Sequence, residues 1–315
     1  MSKQTTSTLL MVKPYGFDYN TETAEDNHFQ TGGTGLSSSK ITRQALHESE
    51  AFMKKISAKG IEVIVFDDLI TKETPDAVFP NNWLSTHNDG TVYLYPMFAP
   101  NRRKERRQEV LDLLTQEYGF SIDRIMDWSK QEDMGLFLEG TGSMILDRPN
   151  KIIYSALSER TSEELLKQYS REIGYELVAF RSYHNAKQKE VLIYHTNVML
   201  CVAKDYAVVC LECIKDLTER KAIMNSLKKT NKAIVELSLD QIDHFAGNML
   251  EAKNKANESF LIMSSRAHKA MNQSQIAQIQ QYSQIIHAPL TTIENYGGGS
   301  ARCMLAEIFL PRQEK

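Results

Sequence analysis

Cysteine is scarce in this chain, with four in 315 residues. That is too few for a disulfide framework at this length, so the fold must rest on a packed core. Long apolar runs are missing too. Nowhere do about 18 apolar residues follow one another, as a membrane-crossing helix requires, and Leu9–Val12 is too short for a secretory core. A cytoplasmic protein is expected. Neither sign of charge dominates: 37 Lys and Arg stand against 40 Asp and Glu, a formal net charge of −3. No basic excess is left to hold a nucleic acid. The cluster Arg102-Arg103-Lys104 with Arg106-Arg107 is interrupted by Glu105 and followed by Glu109, and reads as the solvated first turns of a helix. Gly32-Gly33-Thr34-Gly35 lacks the Gly-Lys-Ser/Thr order of a phosphate loop, which argues against a nucleotide site. Cys210-Leu-Glu-Cys213 has metal or redox spacing, but no second pair exists, and Val208–Leu211 reads as a buried strand. Neither a metal or redox site at this pair nor a nucleotide site is expected.

What is present is ordinary globular material: 42% hydrophobic and 24% charged residues, enough to bury a substantial core in one α/β domain over residues 1–315. Leu9–Val12 reads as a strand. A polar stretch from Tyr15 to Lys40 is expected to be a mobile loop or lid. Ile41–Lys59 has helical spacing and stops at Gly60, and Ile61–Phe66 is a strand. From there strand, turn, strand, helix, strand recurs every fifty to sixty residues or so. The units open at Asn82, Gly142, Thr196, Gly247 and Ser300, and the N-terminal segments complete the fifth. The first unit's helix is expected over Asn101–Tyr118. Five such ββαβ units closed into a ring make a pseudo-symmetric α/β propeller, with the openings of the first strands on the central channel. The residues there are Asn82, Glu139, His195 with Asn197, Asn248 and Cys303, whose chemistry is not that of a core.

Cys303 follows Gly297-Gly298-Gly299-Ser300-Ala301-Arg302. Glycines allow close approach to the backbone, and a cysteine thiolate is a nucleophile. Such a cysteine commonly works with a histidine that moves protons and a carboxylate that orients it. His195 and Glu139 supply these from two other units.

With Leu138-Glu139-Gly140, Ser158-Glu159-Arg160-Thr161, Tyr194-His195-Thr196-Asn197, Pro75–Asn82, Asn101–Glu105 and the glycine approach to Cys303, the chain resembles the guanidino-group modifying enzymes. These are the arginine deiminases, dimethylarginine hydrolases and amidinotransferases. The resemblance covers nearly the whole chain and implies the five-bladed propeller, called the pentein fold, without a cofactor. It further implies that Cys303 is the nucleophile, His195 the proton carrier and Glu139 its carboxylate. Arg102 and Arg160 would grip a substrate α-carboxylate, and Asp76 its α-ammonium. Where arginine deiminases carry two guanidinium-binding aspartates, this chain has Asn82 and Asn197. An asparagine offers a donor and an acceptor where a carboxylate offers charge, so a neutral ureido group is favoured over a cation. Through Phe79-Pro-Asn-Asn-Trp83, Glu139-Gly-Thr-Gly-Ser143, His195-Thr-Asn-Val198 and Gly297–Met304 the chain also resembles the citrulline hydrolases, which implies conversion of L-citrulline to ornithine, ammonia and carbon dioxide. A guanidine hydrolase is the nearer alternative, and a non-catalytic amino-acid binder, with Cys303 incidental, the farther one. The partner expected is a small amino acid, with no nucleic acid and no membrane; a homo-oligomeric state stays open.

Overall fold

Short strands with apolar central members pair three at a time, in one repeated order. The computed structural model describes residues 3–24, 26–32, 35–69, 73–186 and 189–312, so Gly33 and Thr34 of the glycine-rich loop lie outside it. Strand β1 (Thr8–Lys13) is followed by the helix Ser38–Ser57 and β2 (Glu62–Asp67). Next come β3 (Leu84–Thr86), β4 (Thr91–Leu94) and β5 (Arg124–Asp127), then β6 (Met144–Asp147), β7 (Ile152–Ala156) and β8 (Glu176–Phe180). A hairpin of β9 (Tyr183–Ala186) and β10 (Lys189–Leu192) intervenes, which the repeat pattern did not foretell. The series continues with β11 (Leu200–Val202), β12 (Tyr206–Val209) and β13 (Ala233–Glu236). After β14 (Leu250–Lys253), β15 (Ser259–Ser264) and β16 (Gln284–Ala288), it ends in β17 (Ala306–Glu307).

Among the described residues these form five separate three-stranded sheets besides the hairpin. In each, the first strand runs antiparallel to the second and the second parallel to the third. The parallel pairs need a crossover, and helices such as Glu163–Ile173 and Leu217–Lys229 supply it. The first of these is capped by Ser162, carries Glu163 and Glu164 in its opening turn and stops at the left-handed Gly174. Its Leu165, Leu166 and Tyr169 are buried. Both middle strands β7 and β12 are buried along their whole length, which accounts for their continuous apolar runs. Strand β17 pairs with β1, so the two ends of the chain build one sheet.

Three expectations need correction. Three of the first strands do not begin at the polar residues but after a helical turn, which holds Asn82 and Asn197 and directly follows Glu139 and His195: Pro80–Asn82 before β3, Gly140–Ser143 before β6 and Thr196–Val198 before β11. The segment 101–118 is not one helix. It is a 3-10 helix at Pro100–Glu105, an α-helix at Gln108–Asp112 and a π turn at Leu113–Glu117. Nor is its charge cluster solvated. Arg102 and Glu105 are buried against each other, Arg106 pairs with Glu132 and Arg107 with Asp68, while Lys104 stays exposed. The chain is extended at Arg106 and Arg107, which separates the 3-10 helix from the α-helix.

Candidate active site

Cys303 sits on the turn ahead of β17, where its N–H bonds Ser300 O at 3.0 Å, and is 3% exposed. Two amide groups donate to its sulfur: Asn248 Nδ2 at 3.2 Å and Asn197 Nδ2 at 3.4 Å. The Asn248 amide is oriented from behind, since its Oδ1 accepts the Arg302 N–H at 2.9 Å. Asn248 stood at a unit opening in the sequence, yet only the geometry shows that it touches the Cys303 sulfur. The three glycines do not open the backbone to a ligand as expected. A Cβ on Gly297 or Gly299 would lie 2.8 Å from the Phe79 ring, and Gly298, at φ +63°, is packed by Asn27.

His195 and Glu139 meet, with His195 Nε2 2.8 Å from Glu139 Oε2. Glu139 is wholly buried. Burial alone would raise its carboxyl, but Arg160, the hydrogen bond from His195 and Arg102 outweigh that and hold it at about 2. An ionised carboxylate can only accept, so Nε2 carries the proton and Nδ1 is the free base of a neutral ring. Burial pushes the His195 pKa below its ordinary value, against the pull of Glu139, and the ring is therefore neutral at neutral pH. Gly142 makes room for it: a Cβ there would lie 2.8 Å from His195 Nδ1 and 2.3 Å from Asn82 Nδ2. The remaining Glu139 oxygen, Oε1, accepts the Phe98 N–H at 2.9 Å.

Both arginines singled out in the sequence converge on this carboxylate, Arg160 Nη1 at 3.6 Å and Arg102 Nη1 at 4.0 Å. Arg102 is also forked onto Glu105 at 2.9 and 2.8 Å and donates to Asn82 Oδ1 at 2.9 Å. Glu105 is a partner the sequence reading missed. Its carboxyl is raised to about 7, by burial first, in spite of Arg102. Arg160 is forked onto Asp26 through Nε at 2.6 Å and through Nη2, and lies over the Tyr194 ring at 4.8 Å. Asp26 comes from the segment expected to be a lid. In the same segment Asn20 donates to Asp76 Oδ2 at 2.7 Å and Thr23 at 3.3 Å. Asn20, Thr23, Asn27 and Gln30 are all buried, so this segment covers the constellation. Three buried polar atoms there have no partner: Asn82 Nδ2, Asn197 Oδ1 and Asp76 Oδ1.

Cys210 and Cys213 are buried free thiols, with Cys213 Sγ 2.9 Å from Cys210 O. No group of three or more His, Cys, Asp or Glu side chains able to hold a metal occurs among the described residues. No helix there is long and apolar enough to cross a membrane.

The profile of the eukaryotic N,N-dimethylarginine dimethylhydrolase family matches residues 13–310. The chain belongs to this family. It therefore falls within the guanidino-group modifying superfamily that its motifs resemble. Among solved structures, it is similar to ArgZ, an arginine dihydrolase from the ornithine-ammonia cycle in cyanobacteria. The TM-score is 0.72 at 17% identity, over 97% of this chain and 41% of that one. The chain thus spans about two-fifths of full-length ArgZ. Against the ArgZ N-terminal domain bound to product, the TM-score is 0.71 at 17% identity, with 95% and 96% covered. A dimethylarginine dimethylaminohydrolase holding an S-methyl-L-thiocitrulline adduct gives 0.61 at 13% identity, with 98% and 100% covered. At these identities the likeness is one of fold. A search of curated proteins gave no significant match.

Proposed function

We propose that the protein hydrolyses L-citrulline at its ureido group, giving L-ornithine, ammonia and carbon dioxide, on a five-bladed propeller whose blades are the five sheets. The observation that carries this reading is the orientation of Asn82. A guanidinium can only donate, so Arg102 fixes Asn82 Oδ1 toward itself and leaves Nδ2 as a buried donor without an acceptor. A ureido carbonyl is such an acceptor, and a guanidinium offers none. Asn197 Oδ1 is the complementary orphan acceptor for a ureido N–H. Glu139 is also already engaged, Oε2 by the His195 N–H and the two arginines and Oε1 by the Phe98 N–H, so neither of its oxygens is left free to pair with a substrate cation.

In this reading the Cys303 proton passes to His195 and the thiolate attacks the ureido carbon. His195 returns the proton to the departing nitrogen as the C–N bond breaks. Water, deprotonated by His195, then attacks the thioester carbonyl and releases the enzyme. The resulting carbamate or carbamic acid falls apart so that one citrulline and one water give ornithine, ammonia and carbon dioxide.

A guanidine hydrolase is the second reading. It is favoured by the family to which the chain belongs and by the likeness to an arginine dihydrolase. A product assay with L-citrulline, L-arginine and dimethylarginine, beside a Cys303→Ser control, separates the two. Ornithine from citrulline, abolished in the control, is expected. Faster turnover of either guanidine would overturn the citrulline assignment, and turnover of none would leave an amino-acid binder.

A further inference from the structure

Two buried charged groups assigned to the substrate's amino-acid end are already engaged by the covering segment. Asp76, the group for an α-ammonium, receives an N–H from Asn20 at 2.7 Å on Oδ2. Arg160, the group for an α-carboxylate, presents two donors, Nε and Nη2, to the two oxygens of Asp26. A side-chain carboxylate forked on a guanidinium has the same planar two-oxygen geometry as an amino acid's α-carboxylate, and the Asn20 amide donates an N–H to Asp76 as an ammonium would, though without its charge. The spacing between Asn20 and Asp26 lets one segment present both groups at once. The segment is further tied at Asn101, whose backbone N–H bonds Glu22 at 2.8 Å and whose side chain bonds Asn20.

We propose that Asn20 and Asp26 are an internal stand-in for the α-ammonium and α-carboxylate of the substrate, which binds by exchanging with them. Substrates are then free zwitterionic α-amino acids, since a peptide-linked residue has lost one or both groups needed for the exchange. The proposal rests on the reading of the site as one for an amino acid, but not on which head group is cleaved.

The measurement is calorimetric titration with L-ornithine, which has no head group to cleave, into the unmodified protein and Asp26→Asn. Removing an internal competitor raises the binding-competent fraction, and the apparent Kd falls in proportion. A fall of about fivefold or more is expected. L-Ornithinamide keeps the ammonium but has no carboxylate, so its Kd should stay the same in both proteins. An unchanged or raised ornithine Kd overturns the proposal, and so does an equal gain for the amide, which would mean general loosening. Should Asp26→Asn fail to fold, Asn20→Ala makes the same test, with tighter ornithine binding expected and no tightening counting against the exchange. A protein that turns over neither citrulline nor arginine yet binds ornithine more tightly in the variant would sink the hydrolase reading and keep this one.

Discussion

On the proposed reading, Asn82 is the side chain whose chemistry separates a ureido from a guanidino substrate. Its Oδ1 is held by Arg102 at 2.9 Å, and Arg102 is itself forked onto Glu105, so the amide cannot turn over without breaking a buried charged hydrogen bond. Changing Asn82→Asp keeps the acceptor for Arg102 and replaces the orphan donor with a second carboxylate oxygen. For a ureido substrate this removes one hydrogen bond and sets two acceptors face to face. We expect kcat/KM for citrulline to fall by roughly 10–100-fold, the scale of a lost hydrogen bond with its unpaired partner left buried. The citrulline-to-arginine ratio should fall with it. Competition between the two substrates at the variant measures that ratio, and a ratio equal to that of the unmodified protein would mean that Asn82 does not read the head group.

The helical turns that precede the first strands turn this residue chemistry into a constellation. They carry Asn82 and Asn197 and directly follow Glu139 and His195, and Cys303 lies on a turn at the corresponding place ahead of β17, which is why these residues could be picked out from equivalent positions in a repeated pattern. Their helical geometry was not legible, because a turn of three or four residues has no periodicity to read. Asn248 was visible as a position but not as a donor to sulfur. The Asp26–Arg160 and Arg102–Glu105 pairs were invisible, the first because a sequence that marks Tyr15–Lys40 as a lid does not say which of its side chains meets Arg160. The second hid inside a charge cluster that looks like a solvated helix. Gly142 in the turn Gly140–Ser143 shows how tightly the turns are fitted together. A Cβ there would be 2.3 Å from Asn82 Nδ2 and 2.8 Å from His195 Nδ1, although the backbone conformation itself suits alanine. Gly142→Ala should therefore leave the circular dichroism spectrum intact while kcat/KM drops at least about tenfold, the penalty of about 1.4 kcal/mol for displaced catalytic groups. Full activity in a folded variant would show that neither side chain needs its present place.

At the scale of the whole molecule, the sheet that follows Cys303 is the one built from both ends of the chain. Strand β1 pairs with β17 on one side and β2 on the other, and its alternating side chains enter two cores. Leu9 and Met11 join the cluster that holds Phe79, Cys303 and Met304, whereas Leu10 joins the one around Trp83 and Ile308. A strand with both faces buried couples the clusters, so neither should be lost alone. Contacts between residues some 300 positions apart, such as Thr6 with Ile308 at 2.5 Å, also mean that this sheet cannot form until most of the chain exists. Leu10→Ala removes a fully buried, uncharged side chain of the cluster around Trp83 and Ile308, and should cost about 2–5 kcal/mol. In urea, the loss of activity and the change in tryptophan fluorescence, which reports Trp83 and Trp128 in two different clusters, should move to a lower midpoint together. If activity instead fades well before the fluorescence changes, the sheet behind Cys303 opens as a unit of its own, and the coupling through β1 is weaker than its two buried faces imply.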